Sequence, residues 1–191
     1  MASIDEVSNY LAKRIAEVLY PAGVNASSIV TAPIKIYPGW PVPGALQPDM
    51  DAGVVHVSVW PLPTERKVTT PLGRPFRRMA LSGYVAGQAV RELKRQIKDF
   101  QITVWAPTPP LRNTVGTVID TALTEQCHID LRDGAPAQMF YARQFDSDAA
   151  ENWHVYRRDL IFSVNYATTQ AISAPEVTEI AVTVNSHNLR H

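Results

Sequence analysis

The sequence predicts an α+β fold: a mostly antiparallel sheet, two helices packed on one of its faces, and an extended β-hairpin or loop arm. Three observations predict it. Apolar residues recur convincingly at helical spacing in two stretches, 3–20 and the residues after Thr108. β-branched and aromatic residues alternate in several others, above all 53–60, 100–105 and 156–168. The order is helix, strands, helix, strands, which places helices on one face of a sheet.

The first helix spans 3–20. Ser3 and Glu6 fit a capping box, and Ile4, Val7, Leu11, Ile15 and Val18 form one stripe before Pro21 and Gly23 stop it. The stretch 34–61 then reads as strand, proline-rich excursion, strand: a core hairpin with a long connection. Val55, Val57 and Val59 share one face, while His56, Ser58 and Trp60 share the other. Leu46 to Asp51 suits a short helical turn, and Asp49 and Asp51 read as solvated charge. Residues 62–76 are polar and broken by Pro63, Pro71 and Pro75, so an exposed loop or the start of an arm is expected.

From 77 to 105 one long hairpin is preferred, its outer half projecting from the body. The alternative is a helix at 91–98, because Val90, Leu93 and Ile97 keep helical spacing. Thr108 caps the second helix, Pro109 falls in its first turn, and its end is expected near Gln126. Ile129 to Leu131 is short, and 132–134 is a turn. A strand follows over 137–145, then an acidic loop over 146–152, then the strongest strand, 156–168. In that strand Tyr156, Arg158, Leu160, Phe162, Val164 and Tyr166 share a face, with Asp159, Ser163 and Asn165 opposite. One more strand is expected at 178–184. The 191 residues form one domain, with 62–98 as a basic projecting arm and 170–191 as an extended tail.

Composition points to assembly. The 46% apolar and 19% charged balance is that of a globular protein. Fifteen prolines against nine glycines favour rigid connections and arms. One cysteine, Cys127, excludes an internal disulfide and reads as a small buried hydrophobe. No apolar run reaches membrane-spanning length, and the start lacks the pattern of a signal peptide, so a reducing cytoplasm is expected for folding. The zero net charge divides unevenly: 66–98 holds nine basic residues and one acidic (9 − 1 = +8), the remainder nine basic and 17 acidic (9 − 17 = −8). Such a split suits copies docking on one another, or contact with a polyanion.

Chemistry is scarce. The five histidines do not fall at metal-ligand spacing, and neither a phosphate loop nor a nucleophile elbow occurs. Asp146 and Asp148 read as solvated loop charge. No enzyme activity and no cofactor are expected. Arg157, Arg158 and Asp159 stand out, because an arginine on the Tyr156–Leu160 face needs a partner: an ion pair within or between subunits, or a nucleic-acid contact.

Three stretches carry a resemblance: Ile34 to Pro41 with Met50 to Val59, Phe100 to Pro109, and Tyr156 to Thr169. Together they resemble the tail terminator, or tail completion, proteins of the neck of tailed bacteriophages. The likeness is one of texture, in order along most of the chain, and not of catalytic residues. It implies a small α+β virion protein, assembled in the host cytoplasm. Such a protein forms a ring, usually a hexamer, that ends the tail tube and joins it to the head–neck connector. The partners implied are copies of itself, tube and connector proteins, and sheath where one exists. Another connector-ring protein, or a DNA-contacting module using 66–98, is the alternative. Candidate interface residues are Trp40, Arg74, Arg77, Arg78, Lys94, Arg95, Arg157, Arg158 and Asp159; candidate DNA-facing residues are Arg66, Lys67, Arg91 and Lys98. Trp40 is the expected exposed anchor on the stiff 38–44 loop.

Overall fold

The computed structural model describes residues 3–68, 77–78, 88–131, 136–150 and 153–173. Helix α1 (Ile4–Leu19) starts as expected: the Ser3 side chain accepts from the Glu6 amide at 3.1 Å. Val7, Leu11, Ile15 and Leu19 are buried, and they lie on β1 (Ile34–Pro38) and β2 (Val55–Val68). Helix α3 (Pro109–Thr124) follows Thr108, with proline in its first turn. It packs beside α1 on the same face of the sheet.

The sheet runs β1-β2-β4-β7-β6-β5, with β4 (Gln88–Ala106), β5 (His128–Asp130), β6 (Pro136–Ala150) and β7 (Val155–Ser173). A short β3 (Arg77–Arg78) pairs with β4 at Val90 and Ala89. Among the described residues all pairings are antiparallel except β1 with β2. The core lies between sheet and helices: Val55, Val57 and Val59 meet Phe100, Ile102, Val104, Leu160, Phe162 and Val164 there.

The structure corrects several expectations. Residues 34–61 are not a hairpin: β1 and β2 are parallel, with Ile34 opposite Val55. A parallel pair needs a crossover, and 39–54 supplies it, including helix α2 (Pro43–Asp51). α2 lies on the sheet's other face, where Met50 packs with Trp105 and Val155. β2 does not stop at Pro61 but continues to Val68, its register shifting between Pro61 and Glu65. That bulge at the sheet margin absorbs prolines that would break a central strand. Residues 91–98 are strand, paired to β7 on one side and in part to β2 on the other. The expected acidic loop is strand as far as Ala150. Cys127 is exposed rather than buried, beyond the end of α3. The expected turn at 132–134 and strand at 178–184 lie outside the described residues.

A candidate assembly surface

Alternation along the strands gives the face away from α1 and α3 its own character. β4 places Gln101, Thr103 and Trp105 there, and β7 places Arg157 and Asp159. Asp159 is 0% exposed. Its Oδ1 accepts from Thr103 Oγ1 at 2.5 Å, Gln101 Nε2 at 2.9 Å and Arg157 Nε at 3.1 Å, while Arg157 NH2 lies 3.0 Å from Oδ2. Thr103 and Asp159 are register partners, so the pairing itself delivers the hydroxyl. The buried carboxylate is tolerated because Oδ1 takes three donors and the Arg157 cation offsets its charge, although Oδ2 accepts no hydrogen bond.

The tethered guanidinium is aimed outward. Arg157 Cζ stands 5.4 Å from the centre of the Trp40 ring and 6.0 Å from that of Trp105, within cation–π range. Trp40 meets Trp105 edge-on at 5.4 Å and Trp60 at 6.2 Å. Trp40 remains 48% exposed. The short connection between β1 and α2 thus places an indole over the sheet, fixed by two rings and a cation yet open to contact. On the same face β6 carries Phe140 and Phe145, opposite Ser163 and Asp159, and both are exposed.

Arg158 points to the helix side. Its Nε donates to Asp146 Oδ1 at 2.6 Å and its NH2 to Asn113 Oδ1 at 3.1 Å. The Arg158 bond is the main reason that Asp146 titrates below the usual carboxylate range. Arg112, buried on α3, pairs with Asp148 and lies 3.5 Å from Asp146. The two aspartates expected to be solvated instead tie α3 to β6 and β7. Arg158 therefore has its expected partner inside the chain, and it lies on the opposite face from Asp159.

A third cluster binds the crossover to the sheet. Tyr37 Oη is 2.9 Å from His56 Nδ1, and His56 Nε2 is 2.9 Å from Asp49 Oδ2. Lys35 Nζ lies 2.6 Å from the same carboxylate oxygen. Asp49 is thus ion-paired, not a freely solvated turn residue. The Lys35 bond chiefly lowers its pKa. Burial lowers that of His56, against the pull of Asp49. Burial, with Asp49 adding to it, pushes the Tyr37 phenol up to about 12.

The basic segment is partly neutralised. Arg95 Nε is 3.0 Å from Glu92 Oε1, and Lys94 Nζ is 3.7 Å from Glu65 Oε1. Lys98 is 7% exposed, whereas Arg66 and Lys67 face solvent near the end of β2. Arg77 and Arg78 form β3, and Arg91 lies opposite Gln170 in the β4–β7 ladder. Arg74 lies outside the described residues. Among the described residues no three His, Cys, Asp or Glu side chains come together as a metal site. No described helix is long and apolar enough to cross a membrane.

Sequence alternation revealed the Asp159 face and the need to pair Arg158. It missed Arg112 and read Asp146 and Asp148 as solvated loop charge, whereas both are ion-paired on a strand beside β7.

No protein-family model matches the chain, and no curated protein sequence matches it. Solved structures do. A chain of the virion of a native gene transfer agent particle is similar over 85% of this chain and 94% of its own length, with 17% identity and a TM-score of 0.44. A chain of an extracellular contractile injection system, its PVC sheath/tube terminator in the extended state, is similar over 100% of this chain and 66% of its own length, with 16% identity and a TM-score of 0.42.

Proposed function

We propose that the chain is a structural virion protein of a tailed phage. In this reading copies of it close into a ring, a hexamer, that ends the tail tube and joins it to the head–neck connector. One observation carries the reading: the Trp40–Arg157 anchor, held by Trp60, Trp105 and Asp159 and half open to solvent. Tryptophan and arginine dominate the energetics of protein interfaces, and an anchor already locked in place loses little entropy on docking. The resemblance of the 34–59, 100–109 and 156–169 stretches to tail terminators agrees with it.

A closed ring needs two unlike faces on each copy, meeting head to tail. The +8 segment and the −8 remainder of the chain supply opposite charges for such faces. The protein then works by contact with its own copies and with tube, connector and sheath proteins, without turnover. The 62–98 arm would reach a neighbouring copy.

Exposed Arg66 and Lys67 favour a second reading, contact with DNA passing through the ring. Binding would then fall steeply with salt, and would weaken when Arg66 and Lys67 are neutralised. The pairing of Lys94 with Glu65 and of Arg95 with Glu92 weighs against it.

Cryo-electron microscopy of the particle that carries this chain tests the main reading. A ring of this fold at the head-proximal end of the tube is expected. A particle map that lacks the chain refutes the proposal.

A further inference from the structure

The two margins of the sheet are unlike. On the β1 side, Val55 N donates to Pro33 O and Gly39 N to Val59 O. In a parallel pair this turns Lys35 and Tyr37 toward β2 and leaves Ile34, Ile36 and Pro38 facing outward. Tyr20 Oη occupies both outward groups of Ile34, lying 2.8 Å from its nitrogen and 2.9 Å from its carbonyl oxygen. Pro38 has no N–H to offer. Beyond β1 the margin passes to β2 at Pro61 and Pro63, which have none either. Prolines and side-chain caps of this kind protect an edge from strand addition.

Past its pairing with β5, the β6 margin has neither a proline nor a side-chain cap among the described residues. β5 covers only Pro136 to Gln138, and Met139 N donates to Cys127 O. Beyond that, among the described residues β6 is paired on one side only, to β7. No proline interrupts 140–148, and Phe140, Tyr141 and Phe145 are exposed by 50%, 43% and 46%. Register shifts between Tyr141 and Arg143 and between Ser147 and Ala150 frame a regular window at 143–147. An edge with backbone donors and acceptors intact, flanked by exposed aromatic rings, is built to take another strand.

We propose that this window accepts an extended strand from a second copy of the chain, and that the strand is the neighbour's 178–184. That segment alternates Ile180, Val182 and Val184 with Ala181 and Thr183, which suits a place beside an aromatic-flanked edge. Reach decides between the chain's own edge and a neighbour's. β7 ends at Ser173, opposite Gln88, whereas the window lies opposite 157–161. The 12 residues from 161 to 173 (173 − 161 = 12) extend about 40 Å along the strand. The five steps from Ser173 to residue 178 span at most about 18 Å. The segment therefore cannot lie along its own window, and the window takes it from another copy. Each copy gives one strand and receives one, which is a head-to-tail contact. The inference rests on the ring reading and specifies how neighbours are joined.

Complementation tests it in the full chain. Ile180→Pro disables the donor. Arg143→Pro and Gln144→Pro are both made for the acceptor, because adjacent N–H groups on an edge strand point alternately to β7 and outward. The variant that keeps wild-type thermal unfolding is the edge block. The expected masses by light scattering are a closed assembly for wild type, monomer for each variant alone, and heterodimer and nothing larger for an equal mixture. The mixture holds one working donor–acceptor pairing. Variants that assemble as wild type does, a mixture that stays monomeric, or a wild-type chain monomeric at its highest soluble concentration overturns the inference. The ring reading fails separately, if the chain is missing from the particle map.

Discussion

Arg158 reaches Asp146 across the β6–β7 ladder, Nε to Oδ1 at 2.6 Å, and in doing so fills the space over Gly116 on α3. A Cβ at Gly116 would stand 2.6 Å from Arg158 Cδ. The guanidinium is held at its far end by Asp146 and Asn113, so the side chain has little room to move aside. Gly116→Ala should therefore destabilise the fold, by about 1–3 kcal/mol for an overpacked contact. Thermal unfolding should shift down by several degrees, and Arg158→Ala in the same chain should recover part of the loss. An unchanged Tm for Gly116→Ala contradicts this packing.

Asp159 is the acceptor on which Gln101, Thr103 and Arg157 converge. Asp159→Ala leaves those donors without it. The expected loss is about 2 kcal/mol, below the usual figure for breaking a buried pair because Arg157 is about a third exposed. The freed guanidinium should also loosen over Trp40, so indole fluorescence should change together with Tm. A Tm drop with no change in fluorescence would separate Arg157 from the tryptophans.

Trp40 and Val57 divide assembly from folding. Trp40→Ala removes a half-exposed ring with intramolecular contacts to Trp60, Trp105 and Arg157, so it should cost the monomer about 1 kcal/mol while reducing assembly much more. Val57→Ala opens a void in the core and should cost about 1–3 kcal/mol. Assembly that survives Trp40→Ala reduces the stretch between β1 and α2 to a mere connection.

His56 sets an acid limit. Burial lowers its folded pKa below the ordinary 6.5, so the unfolded chain binds a proton more readily. The stability this contributes is fully present above pH 6.5 and is lost progressively as pH falls from there to the folded pKa. Tm measured at steps below pH 6.5 should decline, and His56→Gln should flatten that part of the slope. An equal slope in the variant would assign the decline to other groups.

Much of the fold was legible because it is written in local pattern. The capping of α1, the proline start of α3 and the valine face of β2 follow from neighbours in sequence. Even the rivalry between helix and strand at 91–98 was resolved in favour of the strand, since the segment runs without a stop into 100–105. Direction and edges were not legible. Whether β1 runs with or against β2 depends on where the crossover packs, and Met50 finds Trp105 and Val155 only in three dimensions. Pro61 and Pro63 looked like strand breakers because the sequence does not reveal that β2 reaches the sheet margin there. The same holds for the candidate surface. Alternation put Arg157 and Asp159 on one face, but the Trp40–Trp60–Trp105 contact joins residues far apart in the chain.

The β4–β7 ladder has a mechanical consequence. β4 and β7 each run 19 residues, about 60 Å, from the body to the far end at Gln88 and Ser173, with one register shift at Glu92 and Lys94. A pull along one of the two strands alone at that far end loads many hydrogen bonds at once, in shear, instead of peeling them one by one. The load passes directly into the strands that carry Phe100, Ile102, Leu160 and Phe162. Tension at the tip would be borne by the whole hydrophobic centre, and yielding is expected to begin where the ladder slips its register, between Glu92 and Lys94.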